Sequence, residues 1–381
     1  MNIEYCKGTP ADRQEILDFA DLVFSKNSRP HDFATLLPKL YGPDRNFEPL
    51  HYMVKEDGKI RAMICVLPME FRSGEETLRF NGVGTVSVHP CARGRGYMKK
   101  LMAWALEDMK QDGTVFSTLS GLRQRYEYFG YTPVGRKLSW NLNRDNLRHR
   151  YAGRAFAPVV LSPMTRQDAP TYAAMYRKSG PGTVRSDEDF LTILRSWNAQ
   201  PTAVTLEGKP VGYFCRTGGT IQEMVLENPE LLPDVLHAIF QNPEVEWLSL
   251  FLPEWETGLS AILEELAEGV HGSWDHNCRI FDFAKAVKVF LQIKADYTPL
   301  PDGTLTFAVE DAAPFTVTVR QGTVSVHSAS PEETGLSLSQ LTAARLFFAP
   351  EGWRAMPEAK NNLLLRSWFP APLFTGEQDN C

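Results

Sequence analysis

The chain of 381 residues has few cysteines and lacks a long apolar run. Its six cysteines lie far apart and form no C-x-x-C pair, which argues against a zinc site and against a dense disulfide framework. No apolar segment approaches the roughly 20 residues that span a bilayer. The first residues, "MNIEYCKGTPADRQEIL", have no apolar run after a basic start, so no secretory signal is predicted. These absences favour a protein of the reducing cytoplasm with no membrane partner and no metal.

Positively charged residues are fewer than negatively charged ones. The chain has 40 Lys and Arg against 46 Asp and Glu, which gives a formal net charge of −6 at pH 7. This balance argues against a nucleic-acid partner and leaves room for acidic pockets that attract a cationic small molecule. With 381 residues, 43% of them hydrophobic, the chain is too long for one compact domain, and two or three domains are expected.

The N-terminal third has the pattern of a mixed α/β domain. A helix is predicted in "TPADRQEILDFADLVF", and a hairpin turned at Asp57 and Gly58 follows it. A strand from Val83 to Val88, a loop rich in glycine and arginine, a helix and the strand "TVFSTLS" come next.

Residues 158–216 repeat this pattern. "VVLSPMTRQDAPTYAAMYRKSG" parallels the start of the chain, and "PTAVTLEGKPVGYFCRT" parallels the first hairpin at nearly the same offset. This long period predicts two copies of one domain, although two unrelated mixed domains with chance similarity would give the same pattern. The second copy lacks the R-G-x-G of the first, so we expect it to be degenerate.

The pattern changes again near Asp282. Before it, "LPEWETGLSAILEELAEG" is interpreted as one acidic helix. After it, the helix "FDFAKAVKVFLQIKA" leads to alternating strands turned at Asp302-Gly303 and Gln321-Gly322, which is typical of a separate α+β module. The predicted domains are 1–150, 151–283 and 284–381.

The loop in "VHPCARGRGYMKK", residues 88–100, is a candidate anion site. Its glycines fall at the first turn of an amphipathic helix, where backbone N–H groups have no helical partner and the helix dipole is positive. Positive side chains surround them, namely Arg93, Arg95, Lys99 and Lys100. The G-x-x-x-x-G-K-[ST] and G-x-G-x-x-G patterns are absent. A basic surface turn without a ligand is the alternative interpretation.

This region resembles the acetyl-coenzyme A loop of the GCN5-related N-acetyltransferases (GNAT), whose pattern is [QR]-x-x-G-x-[GA]. Gly94 and Gly96 match it, whereas Cys91 stands at the Gln or Arg position. The resemblance implies that acetyl-CoA binds where "TVSV" and "FSTLS" splay apart and that N–H groups of residues 93–99 hold its pyrophosphate. The implied cofactor-binding residues are Val86, Ser87, Val88, Arg93, Gly94, Arg95, Gly96, Tyr97, Met98 and Lys99.

A second stretch, "RYEYFGY", resembles the Y-x-x-h-G-[FY] signature of the same family. The resemblance implies that the hydroxyl of Tyr126 meets the coenzyme A sulfur. A phenol of pKa about 10 can protonate a departing thiolate of pKa about 8.5, so Tyr126 is the predicted general acid. The neighbouring rings of Tyr128, Phe129 and Tyr131 are expected to lie in the core.

The whole layout resembles the enhanced-intracellular-survival (Eis) branch of that family. This implies a mixed α/β (α+β) fold of two tandem GNAT-type domains, the second degenerate, followed by a module like sterol carrier protein 2. It also implies a homo-oligomer built as a ring, such as a hexamer, and a catalytic role for the terminal carboxylate, here that of Cys381, as proton acceptor. The chain ends in the polar "FTGEQDNC", so a disordered tail is the alternative.

The function predicted on these grounds is transfer of acetyl from acetyl-CoA to a primary amine of a small, cationic molecule. The backbone N–H of Val88 is the predicted oxyanion donor. Aminoglycosides, polyamines and lysine side chains all remain open as acceptors. Two alternatives stay open as well: a ligand carrier or scaffold with an apolar pocket in residues 285–381, and a catalytically weak assembly subunit.

Overall fold

A computed structural model describes residues 2–27, 29–330 and 335–381. The strands in these residues are β1 (Ile3–Lys7), β2 (His51–Glu56), β3 (Lys59–Ser73), β4 (Glu76–Val88), β5 (Phe116–Leu119), β6 (Thr132–Val134), β7 (Lys137–Asn143), β8 (Val159–Pro163), β9 (Gly182–Thr183), β10 (Gln200–Leu206), β11 (Lys209–Thr217), β12 (Thr220–Leu226), β13 (Trp247–Pro253), β14 (Gly269–Ser273), β15 (His276–Ile280), β16 (Gly303–Val309), β17 (Phe315–Arg320), β18 (Thr323–Ser328) and β19 (Leu336–Leu338).

The α-helices in the same residues vary from one turn to four turns. They are α1 (Arg13–Asn27), α2 (Phe33–Leu36), α3 (Pro38–Tyr41), α4 (Tyr97–Gln111), α5 (Arg123–Tyr126), α6 (Arg144–Arg150), α7 (Ala169–Lys178), α8 (Asp187–Arg195), α9 (Leu232–Phe240), α10 (Thr257–Glu264), α11 (Phe283–Tyr297), α12 (Gln340–Phe348) and α13 (Leu363–Trp368).

The first sheet has the order β1-β2-β3-β4-β5-β15-β6, and β9 adds to β3. Strands β1 to β4 are antiparallel, while β4 and β5 run parallel. One face packs against α1, α2 and α3, and the other packs against α4. Helix α4 connects the parallel pair, since parallel strands require a crossover. The hairpin predicted at Asp57 and Gly58 joins β2 to β3, and both residues have positive φ.

The second sheet repeats this arrangement, with the order β14-β7-β13-β12-β11-β10-β8. Its strands β8, β10, β11 and β12 are antiparallel, and β12 and β13 run parallel with α9 between them. The topology thus matches that of β1 to β5 strand for strand. The predicted mixed α/β fold with two tandem domains of one type is confirmed.

The two sheets exchange a strand. After β6, the chain passes into the second sheet, where β7 pairs with β13 and β14. After β14, the chain returns to the first sheet, where β15 pairs with β5 and β6. The first sheet thus contains two strands that follow strands of the second sheet in sequence, β9 and β15, and the second sheet contains β7, which follows β6 of the first. The predicted boundaries at residues 150 and 283 do not coincide with these crossings, and they stay predictions of where independent domains would divide.

The C-terminal module has a four-stranded sheet, β18-β17-β16-β19, which packs with α11 and α12. Its interior contains buried aromatic rings that contact one another, among them Phe307, Phe315, Phe347 and Phe369. The predicted helix is present as α11, which begins after its cap Asp282, and Phe290 packs against Phe116 of the first sheet. The apolar space of the module is thus occupied by its own side chains. Its likeness to a sterol carrier protein stays a prediction.

The acidic stretch before this module differs from the prediction. Within this stretch only Thr257–Glu264 is helical. The stretch begins at the end of β13 (Trp247–Pro253) and ends at the start of β14 (Gly269–Ser273), so a single helix does not span it. Alternating burial along β13 shows that this segment has the period of a strand. Within the described residues, no helix is long and apolar enough to cross a bilayer.

Candidate active site

The site begins where β4 and β5 separate. Their parallel pairing runs from Phe80 opposite Phe116 to Val83 opposite Leu119 and goes no further. Beyond this point β4 continues to Val88, still paired with β3, whereas the chain after β5 turns away towards α5. This leaves one edge of residues 84–88 open, the kind of splay that the family resemblance implies.

A β-bulge shapes this open edge. Ser87 pairs with Met63 and Gly84 pairs with Cys65, so two residues of β4, Thr85 and Val86, oppose one residue of β3. Thr85 has a φ of +49°, a left-handed conformation that is costly for a β-branched residue. Such strain persists only where surrounding contacts hold it.

A buried hydrogen-bond chain supplies those contacts. Nδ1 of His51 lies 2.9 Å from the carbonyl oxygen of Phe47, so this nitrogen carries the proton. Burial lowers the pKa of His51 to about 4, and the neutral ring therefore accepts a hydrogen bond at Nε2 from Tyr41, at 3.0 Å. The Tyr41 hydroxyl in turn accepts from the Thr85 hydroxyl at 2.6 Å. These hydrogen bonds connect the strained bulge at Thr85 to Phe47, which lies in the loop before β2.

The Gly/Arg loop follows β4 directly. A short 3₁₀ turn, Pro90–Ala92, is capped by the His89 ring, which accepts from the Cys91 N–H at 3.2 Å. Gly94 and Gly96 then have φ of +80° and +76°, and Gly96 is the N-cap of α4. Space around both Cα atoms is open, since a Cβ at either would meet no atom within 4 Å. Backbone here can therefore approach a phosphate closely, as the resemblance implies.

The side chain of Arg95 is held by protein groups at Glu56 and at the Cys91 carbonyl. Its guanidinium bonds Glu56, which also accepts from the Tyr97 hydroxyl. The Tyr97 hydrogen bond, followed by the Arg95 contact, lowers the pKa of Glu56. Arg95 therefore secures the loop to β2, and its predicted part in cofactor binding rests on its backbone N–H.

A cleft of about 540 Å³ lies along the open edge of β4. Four of the predicted residues line it: Val86, Val88, Arg93 and Met98. Ser87 lies between two of these residues on β4, and its side chain points to the opposite face because side chains alternate along a strand. It is buried, and its hydroxyl donates to the Thr85 carbonyl. The ammonium of Lys99 lies 4.6 Å from the Tyr128 ring centre. The loop, the strand edge and the cleft thus adjoin, as a bound thioester would require.

Tyr126 lies at the end of α5, against Gly121, and is buried with the cluster on the α4 face. Burial raises the pKa of its hydroxyl, and the nearby Arg125 guanidinium opposes that shift. Arg125 itself lines the cleft. Phe129 and Tyr131 are buried as predicted, but Tyr128 is 71% exposed, so its assignment to the core is wrong. The 3₁₀ turn Glu127–Phe129 directs its ring outwards.

Cys381 reaches the same strand from the other face. A Cβ built on Gly84 would lie 2.6 Å from its carboxyl carbon, and Cys381 packs with the cluster beneath α1 to α3. Burial raises the pKa of its thiol to about 11, so this thiol is uncharged near pH 7. The two predicted catalytic residues thus lie on opposite faces of the sheet, at the place where it opens.

Some residues of the site were missed in the sequence. Val23 and Phe24 of α1 line the cleft, and Arg125 stands beside the predicted acid. Lys39 of α3 donates to the Gln378 carbonyl at 2.6 Å, and burial lowers its pKa to about 8, against the opposing effect of Asp379 and Cys381. Only the position of Arg125 next to Tyr126 could have drawn attention to it.

Comparison with known proteins agrees with this geometry. A family model described as an acetyltransferase (GNAT) domain matches residues 4–134. Residues 4–134 are thus similar to that family over about the first third of the chain. The matched range includes the open strand edge, the glycine loop and Tyr126. No curated protein matches the chain.

Solved structures resemble the whole chain. A GCN5-related N-acetyltransferase from Anabaena variabilis has a TM-score of 0.70 at 17% identity, over 99% of this chain and 98% of that one. Another from Kribbella flavida has a TM-score of 0.70 at 14% identity, over 100% and 98%. Eis1 from Mycobacterium abscessus has a TM-score of 0.64 at 14% identity, over 98% and 97%. At these identities, the likeness shows a shared fold that includes all three sheets.

Proposed function

We propose that this protein transfers acetyl from acetyl-CoA to a primary amine of a small, cationic acceptor. The observation that carries the proposal is the open edge of β4, which has the glycine loop at one end, Tyr126 on one face and the Cys381 carboxylate on the other. The match to an acetyltransferase domain supports acyl transfer as the class of reaction.

The residues suggest a division of roles. Acetyl-CoA supplies an activated acyl group when it is bound. The N–H groups of residues 93–99 would hold its pyrophosphate, with the positive end of α4 behind them. The carboxylate of Cys381 would take a proton from the amine, and the Val88 N–H would stabilise the negative oxygen that develops. Tyr126 would then protonate the departing thiolate, helped by the charge of Arg125.

The raised pKa of Tyr126 keeps its hydroxyl protonated near neutral pH; it also makes the phenol a weaker proton donor, an effect that the nearby charge of Arg125 opposes. A phenol that stays protonated near neutral pH always has its proton available, and the coenzyme A thiolate, with a thiol pKa near 8.5, accepts it when the C–S bond breaks. The net charge of −6 favours approach of a cation.

The carrier alternative has less support. It needs an apolar cavity in residues 285–381, whereas buried phenylalanines pack on one another in the centre of that module. We also propose a cytoplasmic homo-oligomer. The six free cysteines fit a reducing compartment. Light scattering of the purified protein tests the oligomer, and a monomeric mass would contradict it.

The test is release of coenzyme A thiol from acetyl-CoA in the presence of three amines: kanamycin, spermidine and a lysine amide. An amine-dependent rate that saturates, with acetylated product identified by mass spectrometry, is expected for at least one of them. Absence of turnover with all three, although acetyl-CoA binds in calorimetry, would favour the assembly-subunit alternative instead.

A further inference from the structure

The last eight residues, 374–381, form what we call the C-terminal tail. It is polar and has little apolar surface of its own, yet Gln378 and Asp379 are among the buried polar residues of the protein. A polar segment at a chain end is usually mobile unless specific contacts hold it. The contacts that hold this tail therefore decide where its final carboxylate lies.

The strongest of these contacts is an ion pair with Arg185. Nε and Nη2 of Arg185 donate to the two carboxylate oxygens of Asp379 at 3.0 and 2.8 Å. Nη1 and Nη2 donate to Glu223 of β12, both at 2.8 Å. All three nitrogens of this buried guanidinium are engaged, so its orientation is fixed by one partner in the second sheet and one in the tail.

Neighbouring contacts continue this attachment on both sides of Asp379. The Gln378 carbonyl accepts from Lys39, and the Asn380 carbonyl accepts from the Trp197 indole at 3.1 Å. Trp197 and the residue after it, Asn198, have φ of +63° and +57°, two adjacent strained residues at the place where the indole reaches the tail.

Asp379 precedes Cys381 by two residues, a distance of about 7 Å in extended chain. We propose that Arg185 is a positioning residue for acetyl transfer: through Asp379, it fixes the tail so that the Cys381 carboxylate lies against Gly84. This inference rests on the proposed function. A displacement of about 1 Å can lower a rate 10²-fold. Since the Arg185–Asp379 ion pair lies only two residues from the end of the chain, it controls the position of the Cys381 carboxylate.

The charges around Arg185 allow a variant that weakens its contact with the tail and leaves no buried charge unpaired. Arg185 faces two carboxylates, so Asp379→Asn leaves one guanidinium opposite one carboxylate and creates no unpaired buried cation. Glu223→Gln is the matched control. It removes the same charge from the same guanidinium but leaves the tail contact intact.

The experiment measures kcat and the KM for acetyl-CoA with the fastest of the three amines named above. We expect Asp379→Asn to lower kcat by about 10-fold or more, with the KM within about twofold of the parent, whereas Glu223→Gln should keep kcat within about twofold. Thermal midpoints of the two variants should shift by similar amounts, so that stability does not explain the difference. Asp379→Glu, which keeps the charge, should recover part of kcat.

A shortened chain without Cys381 separates the possibilities. Its new carboxylate, at Asn380, would lie at the Trp197 indole instead of at Gly84. We expect a low kcat and no further loss when Asp379→Asn is added to it. If shortening lowers kcat but Asp379→Asn in the full chain does not, or if Asp379→Asn costs the same factor in both chains, the role of Arg185 is wrong while the proposed base stands. If shortening leaves kcat unchanged, the carboxylate is not the base, and the positioning role falls with it.

Discussion

The chain ends against the fourth strand of its first sheet: a Cβ atom added to Gly84 would lie 2.6 Å from the carboxyl carbon of Cys381 and 2.8 Å from its oxygen. The strand can approach the terminus this closely only because residue 84 has no side chain. A Cβ atom added to Gly82, two positions earlier, would lie 2.7 Å from the sulfur of the same residue.

Gly84→Ala should displace the terminal carboxylate. The added methyl group would collide with backbone atoms, which have no rotamer to move into, so we expect kcat to fall about 10-fold or more while the KM for acetyl-CoA changes little. Gly82→Ala is the matched control, because the atoms nearest to its methyl group are side-chain atoms of Cys381 and Met69 rather than backbone atoms. Steady-state kinetics of both variants tests this, and equal losses would show that the carboxylate is not the sensitive group.

Gly96→Val should weaken acetyl-CoA binding by about 10-fold or more. The substitution fills the open space above the loop and is disfavoured at a φ of +76°. Gly113→Val provides the control for strain, since Gly113 has a φ of +71° and equally open surroundings at the other end of α4. Calorimetry should show weaker binding for Gly96→Val alone. Equal affinity of a folded Gly96→Val and the parent would remove the loop from the site.

The buried His51 should make stability depend on pH. Its pKa is about 4 in the folded protein and about 6.5 in the unfolded chain, so below pH 6.5 the unfolded chain binds the extra proton. The free energy of unfolding should therefore fall as the pH is lowered, by about 2 kcal/mol from this residue between pH 7.5 and 5. Urea unfolding of the parent and His51→Gln at both pH values checks this. The same pH dependence in both would assign the effect to other groups.

Local patterns predicted much of the first domain. The hairpin at Asp57 and Gly58 and the helix after Gly96 are fixed by residues within one or two turns of chain, so they could be predicted from sequence. The likeness between residues 158–216 and the start of the chain likewise predicted two copies of one topology.

The strand exchange could not be predicted in this way. Strands β7 and β15 have the same alternating pattern whichever sheet they join, and their partners are set by packing of distant segments. The tail shows the same limit. "EQDNC" has the composition of a disordered end, and its burial depends on Arg185, which lies 194 positions before Asp379 in the chain. Tyr128 was misassigned because an aromatic cluster gives no sign of which ring faces water.

The central claim is acyl transfer with Tyr126 as the acid, and Tyr126→Phe tests it most directly. The variant keeps the ring, its packing against Gly121 and its burial, but it removes the proton. Single-turnover release of coenzyme A thiol should slow by about 10²-fold, with acetyl-CoA affinity and thermal midpoint close to the parent, while Tyr128→Phe, which alters an exposed ring, should react at the parent rate. Release from Tyr126→Phe as fast as from the parent, under conditions where chemistry limits the rate, would contradict the account.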